Sequence, residues 1–348
     1  MKTLRAGIVG VGKIGAAQIE ALQRLGCAEV RSIVVRDETR ARALCDRYGI
    51  REYHSDYTKM LADPEIDVVH DCTPNREHFA INRDAILAGK AVLSEKPLTI
   101  SSAESAELVR LSKSHNAFTA VNFVYRHYKI VQRLRDMIAA GELGTIRAVR
   151  GYYLQDWLLY ESDYDWRVEA ARGGPSRAMA DIGTHWCDLA RFLTGQEITE
   201  VCADLAVFIP ERTEPATQRR VHVDTEDYAS ALLRFSGGAR GSFTVSQVSA
   251  GQKTGLSIEV DGSEASVRWS RQQAESLWIG RRDRPAEIVT LDPPESQQQI
   301  QMNMIESFYA RILEGGTRRY ANFSDGHAMA QVVEAILESH STRTWQKV

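Results

Sequence analysis

Three things are scarce in this sequence. Cysteine is the first. Its five residues, Cys27, Cys45, Cys72, Cys187 and Cys202, are odd in number, widely spread and form no CxxC pair. Such spacing implies neither a disulfide framework nor a zinc site, and reads as reduced intracellular thiols. Long apolar runs are the second. No stretch approaches the roughly 20 residues needed to span a bilayer. The opening MKTLRAGIVGVG is broken by glycine and lacks a cleavage site, unlike a signal peptide. The third is an excess of charge: 43 Lys and Arg stand against 46 Asp and Glu, a formal net charge of −3. The basic footprint of a nucleic-acid binder is therefore missing. A G-x-S-x-G nucleophile elbow is also missing, which argues against serine-nucleophile chemistry. The expectation is a soluble, cytoplasmic protein with no nucleic-acid or membrane partner.

What is present is the composition of an ordinary globular chain. Its 348 residues are 43% hydrophobic and 26% charged, which excludes a disordered chain, a collagen and a coiled coil. At about 150 residues per domain the length suggests two domains, each large enough to bury a core without disulfides or metals.

The first third alternates short apolar runs with amphipathic stretches. Strands are expected at Arg5–Val9, Val30–Val35, Val68–Cys72, Ala91–Ser94 and Phe118–Val121, with helices at Ile14–Leu25, Thr39–Tyr48, Arg76–Ala88 and Ala103–Ser114. Repeated β-α alternation with brief loops predicts a doubly wound parallel sheet over residues 1–124. Its strands lack strict polar alternation, as expected where helices cover both faces. The pattern changes after that point. A helix-like stretch at His127–Ala140 is followed by a strand at Thr145–Tyr153 and a long loop from Leu154 to Arg177. A helix at Thr184–Leu193 leads into strands at Glu200–Ile209, Asp227–Phe235, Arg240–Val248, Leu256–Asp261 and Ala265–Trp269. Ser236-Gly237-Gly238 signals a tight hairpin. Thr213–Val221 is polar and reads as a surface loop. Helices near Gln299–Leu313 and Asp325–His340 close an α+β second domain, 125–348.

Gly10-Val11-Gly12-Lys13-Ile14-Gly15 is a G-x-G-x-x-G that follows the first expected strand and opens the first expected helix. In that context Gly10 permits a tight turn, Gly12 lets the backbone approach a pyrophosphate, and Gly15 allows close helix–strand packing. The helix start offers free N–H groups to phosphates. The ribose reader should lie about 20 positions on, where an acid marks NAD and an arginine marks the 2′-phosphate of NADP. Counting from Gly15 gives Val35, then Arg36 and Asp37. Val35 cannot bond a ribose hydroxyl, Arg36 could pair with a phosphate, and Asp37 could restore the NAD pattern. The cofactor is NAD or NADP, with the balance towards NADP. Thr73, Pro74 and Asn75, with His78 in the helix beyond, follow another parallel strand and are further candidate cofactor contacts, although Pro74 and Asn75 equally suit a helix start.

Glu95-Lys96-Pro97 ends the strand Ala91–Ser94, where a lysine would point to the nicotinamide position; a lone EKP reads equally as a surface lysine. Asp181 and His185 are four apart, so a helical segment stacks them on one face. A carboxylate beside an imidazole fixes its tautomer and raises its basicity, while the plainer alternative is an N-cap with a buried histidine. No further ligands stand at metal-binding spacing, so no metal is expected.

In this order, G-x-G-x-x-G, Thr73-Pro74, Glu95-Lys96-Pro97 and Asp181-Ile182-Gly183-Thr184-His185 with Asp188, the motifs resemble the glucose-fructose oxidoreductase, inositol dehydrogenase and rhizopine catabolism family of NAD(P)-dependent oxidoreductases. The resemblance covers nearly the whole chain. It implies a Rossmann domain followed by an α+β domain whose large, open, mostly antiparallel sheet commonly forms homodimer or homotetramer interfaces. The implied activity is oxidation of a hydroxyl of a sugar, sugar derivative or cyclitol, or reduction of the matching ketone. Carried over by position, Lys96, Asp181 and His185 would be the catalytic set. His185 would take the hydroxyl proton, Lys96 would stabilise alkoxide charge, and Asp181 would orient His185 or hold a neighbouring hydroxyl.

Sugars bind aromatic faces flanked by polar groups. Gln155, Asp156, Trp157, Tyr160, Trp166 and Arg167 in the long loop are thus candidate substrate contacts, as is Arg126 beside Tyr125 near the domain junction. The tryptophans would equally serve to pack the loop. Within the enzyme class the alternatives are a keto-sugar or anhydro-sugar reductase and an enzyme that recycles a tightly held cofactor. From another class comes a non-catalytic nicotinamide-nucleotide sensor. Gln218-Arg219-Arg220 and Arg281-Arg282-Asp283-Arg284 read as charged loops, Cys187 as a buried small hydrophobe, and His327 as structural.

Overall fold

The structure is a computed structural model that describes residues 3–26 and 28–348; Cys27 lies outside them. Its first strands and helices are β1 (Leu4–Val9), α1 (Lys13–Leu25), β2 (Ala28–Val34), α2 (Glu38–Tyr48), β3 (Glu52–His54), α3 (Tyr57–Leu61), β4 (Val68–Asp71), α4 (His78–Leu87), β5 (Ala91–Ser94), α5 (Ser102–Ser114) and β6 (Thr119–Val121). The six strands pair in parallel in the order β3-β2-β1-β4-β5-β6. This is the doubly wound order, with its switch point between β1 and β4, where ligands bind outside the strand ends. Consecutive residues are buried, as in Val68-Val69 and Val92-Leu93, because helices cover both faces. Asp37, Asp56 and Ser101 cap α2, α3 and α5 by accepting from backbone amides; for α2 and α5 the cap falls two residues before the expected starts at Thr39 and Ala103. β3 and α3 are the elements that periodicity does not reveal, being too short to carry a period.

The remaining elements are α6 (Lys129–Ala139), β7 (Ile146–Leu154), α7 (Ala170–Gly173), α8 (Thr184–Thr194), β8 (Ile198–Ala206), β9 (Glu211–Thr213), β10 (Arg220–His222), β11 (Tyr228–Phe235), β12 (Arg240–Ser246), β13 (Gly255–Gly262), β14 (Ser266–Ser270), β15 (Ser276–Arg281), β16 (Arg284–Thr290), α9 (Gln297–Glu314), α10 (Phe323–Thr342) and β17 (Gln346–Lys347). Nine of these strands form one sheet, β16-β15-β14-β13-β7-β12-β11-β8-β17. It is antiparallel except for the β7–β12 pair. Helix α8 lies on it through Trp186, whose ring stacks on Phe243 at 4.8 Å and whose Nε1 donates to the Ser257 carbonyl at 3.0 Å.

Two charged segments differ from expectation. Arg281–Arg284 is the turn of the β15–β16 hairpin, not a free loop. Thr213–Val221 holds the ends of the β9–β10 hairpin, and Val221 is buried. Cross-strand pairing and not side-chain polarity sets both.

The chain divides into two compact units, Met1–His127 with Ser296–His327, and Tyr128–Glu295 with Ala328–Val348. The contiguous boundary expected after residue 124 thus differs from the observed one. Helix α9 returns to the first unit because Met304, Ile305 and Phe308 join Ile8, Ile19 and Leu22 in its core. An apolar stripe predicts burial but not the surface it is buried against.

Two histidines of the first unit are buried neutral. His70 lies between Gln18 Oε1 at 2.5 Å and Tyr309 Oη at 2.8 Å, and His127 Nε2 has no hydrogen-bond partner. Burial lowers each to a pKa of about 3, with Arg126 adding to the effect at His127. Below the ordinary histidine value near 6.5 the unfolded chain takes up protons that the folded chain refuses. Stability from each is therefore complete above that value and lost as pH falls, by about 1.4 kcal/mol per pH unit. Buried carboxyls such as Glu95 and Glu226, raised by burial, act in the opposite sense. The comparison that isolates the effect is wild type against His127→Phe between pH 6.5 and 4.5. The variant is expected to lose stability more slowly by about that slope. Equal slopes would show that His127 takes up its proton in the folded state.

Candidate active site

In the first unit, the turn after β1 is shaped by two close approaches. Gly10 sits at φ 84°, and a side chain there would meet the Cys72 carbonyl oxygen at 2.9 Å. At Gly15 a Cβ would fall 2.3 Å from the Gly10 carbonyl oxygen, so α1 packs directly on the turn. Gly12, by contrast, is the N-cap of α1, makes no side-chain cap bond, and a Cβ there would face open space. Lys13 and Ile14 begin the helix, with Ile14 exposed. Open amides behind a tight turn suit a pyrophosphate, so these residues fit the dinucleotide that the fold implies.

At the end of β2, the Arg36 side chain is 86% exposed and lies 3.5 Å from Glu77. Asp37 is committed to capping α2, its Oδ1 accepting from the Arg40 amide at 2.6 Å. Arg40, which strand counting misses, donates Nη2 to the Val11 carbonyl inside the glycine turn at 2.5 Å. Its signal in the sequence is the spacing Arg36-Asp37-x-x-Arg40, one helical turn beyond the strand.

Thr73 folds back on Asp71, donating its amide and hydroxyl to Oδ1 at 3.1 and 2.6 Å. Pro74 and the nearly buried Asn75 start a short 3₁₀ turn, as the plainer reading expects. His78 corrects an expectation. It is fully buried, with Nδ1 on the Pro97 carbonyl and Nε2 on the Thr73 carbonyl, both at 2.8 Å. No ring nitrogen is left for a cofactor; the imidazole clamps the Thr73 turn to the cis Lys96–Pro97 turn. Glu95 is likewise buried, accepting from Gln18 at 2.8 Å and Asn122 at 2.5 Å. Burial raises its carboxyl, against the pull of Asn122 and Lys96. Lys96 therefore stands on a short segment held from both sides by buried polar groups. Arg126 is a second correction: it is buried and pairs with Asp325 at 3.2 Å. That pairing makes it part of the unit's framework, because a buried guanidinium needs a carboxylate.

In the second unit, Asp181 lies in a π-helical turn, Met179–Gly183, that leads into α8, and His185 follows in the first turn of α8. The His185 ring is nearly buried, 6.3 Å from that of Tyr153. Asp181 Oδ2 accepts from Gln247 Nε2 at 2.8 Å, and Oδ1 lies 3.6 Å from Arg167 Nε. Arg167 covers the Trp166 ring at 4.4 Å and pairs with Asp165 at 3.0 Å. The structure thus brings Trp166, Arg167 and Asp181 together. At the other end of the loop Trp157 donates to Gln155 Oε1 at 2.8 Å, and Asp156 pairs with Lys253 at 2.8 Å. Tyr160 is 65% exposed. Cys187 is fully buried, and burial raises its thiol.

Among the described residues no group of three or more His, Cys, Asp or Glu side chains could hold a metal ion, and no helix is long and apolar enough to cross a membrane. An open helix start behind a tight turn, at the switch point of a parallel sheet, is the arrangement of a dinucleotide-binding fold.

Comparison with known proteins makes this specific. Residues 4–123 match the model of an oxidoreductase family with an NAD-binding Rossmann fold, and residues 131–268 match the GFO/IDH/MocA C-terminal domain. Levoglucosan dehydrogenase of Pseudarthrobacter phenanthrenivorans is 30% identical over 388 aligned positions, covering 100% of this chain and 99% of that one. Trans-1,2-dihydrobenzene-1,2-diol dehydrogenase of Bos taurus is 29% identical over 245 positions, covering 70% of this chain and 68% of the relative. A solved structure of levoglucosan dehydrogenase with NADH and L-sorbose superposes with a TM-score of 0.95 at 28% identity, covering 100% of this chain and 99% of that one. The chain belongs to the GFO/IDH/MocA family of oxidoreductases, and its first unit is an NAD-binding Rossmann fold.

Proposed function

We propose that the chain interconverts a secondary hydroxyl and a ketone on a sugar, sugar derivative or cyclitol. The bound nicotinamide supplies the hydride acceptor in oxidation and the donor in reduction. The observation that carries the reading is Arg167, which lies on Trp166 and beside Asp181. It joins an aromatic, hydroxyl-binding loop to the carboxylate–imidazole turn. In oxidation the carbinol O–H bond breaks and its proton passes to His185. Lys96 holds the alkoxide oxygen as negative charge develops. Asp181 orients the imidazole or accepts from a neighbouring hydroxyl. Gln155, Trp157, Tyr160, Trp166 and Arg167 offer ring faces and polar edges to a pyranose-like ligand. The relatives named for levoglucosan and for a cyclic diol support a ring-borne hydroxyl as the target. The exposed side chains Tyr152 and Leu232, which pairing register places on one face of the nine-stranded sheet, support a homodimer or homotetramer built through that sheet.

The decisive assay is nicotinamide absorbance with levoglucosan, D-glucose, myo-inositol and L-sorbose, run with both cofactors in both directions. Turnover of at least one is expected. Cofactor binding without turnover of any ring alcohol or ketone would favour a nucleotide sensor and overturn the reading.

For the cofactor, the chain is read as favouring the 2′-phosphate. Arg36 and Arg40 supply two guanidiniums at the ribose end, while the Asp37 carboxylate is engaged in capping α2. Calorimetric titration of stripped protein is expected to give a lower Kd for NADPH than for NADH, with the preference lost in Arg36→Ala/Arg40→Ala. Tighter NADH binding, as the NADH complex of the structural relative would suggest, rejects this assignment.

A further inference from the structure

The second unit contains a buried polar chain that neither the motifs nor the loop composition disclose. Asp227 is completely buried and its Oδ1 is shared by two buried arginines, Arg177 and Arg212, the latter at 3.0 Å. Its Oδ2 takes the amides of Phe208 and Ile209 at 2.7 and 2.9 Å. Arg212 also grips the substrate loop, donating to the carbonyls of Leu158, Tyr160 and Asp163, each at 2.9 Å. Arg177 in turn donates Nη1 to Gln247 Oε1 at 3.4 Å. Gln247 is itself fully buried, and its amide nitrogen meets Asp181 at 2.8 Å.

This order fixes the sense of every hydrogen bond. A guanidinium has donors only, so the Gln247 oxygen must face Arg177 and its NH₂ must face Asp181. The Gln247 main chain is pinned as well: its amide donates to the Asp227 carbonyl at 3.0 Å, and its carbonyl accepts from Leu158 at 3.2 Å. The side chain therefore has one useful direction, and it presents a donor to the Asp181 side chain.

We infer that Gln247, polarised by Arg177, is the positioning residue that aims the Asp181 carboxylate and keeps it an acceptor, while Arg212 ties the substrate loop to the same buried anchor. The inference rests on the reading of Asp181 as part of the proton-transfer set. The charged or titratable groups about Asp181 in this unit include Arg167 at 3.6 Å, His185 one helical turn on, and Arg177 with Glu226 and Asp227 behind it.

Gln247→Glu tests it. The new carboxylate keeps the contact with Arg177 but turns an anion on Asp181. Two readouts separate the inference from its premise. The first needs no substrate: melting temperatures at pH 8 of wild type, Q247E, D181N and the double variant. Q247E is expected to lower the melting temperature by several degrees in wild type and by less than half as much with D181N present. Equal losses in both backgrounds overturn the contact. Should Q247E fail to fold, recovery of soluble protein on adding D181N supports the contact, and no recovery overturns it. The second is the pH profile of kcat/KM with the best ring alcohol of the panel. Q247E is expected to move the acidic limb up by about one pH unit with the cofactor Kd unchanged. An unmoved limb, in an enzyme that D181N inactivates, rejects Gln247 while leaving Asp181 in place. Normal turnover by D181N rejects the premise and the inference together.

Discussion

Lys96→Met is expected to lower kcat by about 10³-fold, with the cofactor Kd held within about threefold. Methionine fills nearly the same volume as the lysine stem and removes only the ammonium. The segment that carries the residue is fixed without it: Glu95 is held by Gln18 and Asn122, and Pro97 by His78. Loss of turnover would then report the missing charge and not a displaced backbone. His185→Ala is expected to cost about 10²- to 10⁴-fold, the usual worth of a general base, and to flatten the acidic limb of the pH profile. The proposed roles, in which both residues serve the reacting hydroxyl, predict that the two losses do not multiply in the double variant. Stopped-flow turnover with either cofactor and the best ring alcohol checks all three. Normal turnover by either single variant removes that residue from the catalytic set.

Asp227→Asn is expected to be the most damaging of the structural changes. The carboxylate answers two guanidiniums that water does not reach, and both arginine side chains are fully buried at that contact. Breaking a buried pair by neutralising one member typically costs about 3–5 kcal/mol. Here two cations are left facing an amide, and Arg212 Nε already lacks a partner. In a chain of this size the melting temperature should fall by about 5 °C, accompanied by proteolytic cleavage in the loop that Arg212 holds at Leu158, Tyr160 and Asp163. Calorimetry and limited trypsin digestion measure the two effects. A fall of less than about 2 °C would mean that the cluster is replaceable and does not anchor the loop.

How far the sequence reaches can be judged from particular residues. Four of the five helices in the β-α repeats, and every strand there but β3, are legible because each signal is local: apolar runs of strand length, Asp37 and Ser101 at the starts of α2 and α5, and glycines where the chain must turn on itself. Gly10 and Gly15 belong to this class, since the atoms they make room for lie within the same turn or on the next strand. The alternation along β8, β11 and β12 is legible for the same reason, and so is the placing of Asp181 and His185 one turn apart.

What needed the tertiary structure is a matter of partners. Nothing in the apolar stripe of α9 says that Met304 and Phe308 pack into the first unit, because hydrophobic burial has no direction. His78 and Arg126 carry groups that usually serve ligands, yet His78 meets two backbone carbonyls and Arg126 meets Asp325. Nothing in the sequence singles out Arg177, Arg212 and Gln247; folding joins their three separate segments around Asp227. The sequence by itself determined the parallel sheet, the dinucleotide turn and the motif order that places the chain in its family, since those depend on neighbours along the chain. Only the tertiary structure decided which polar groups are spent on the framework and which stay available for chemistry. A charged side chain far from water must take whatever partner the fold brings within hydrogen-bond reach.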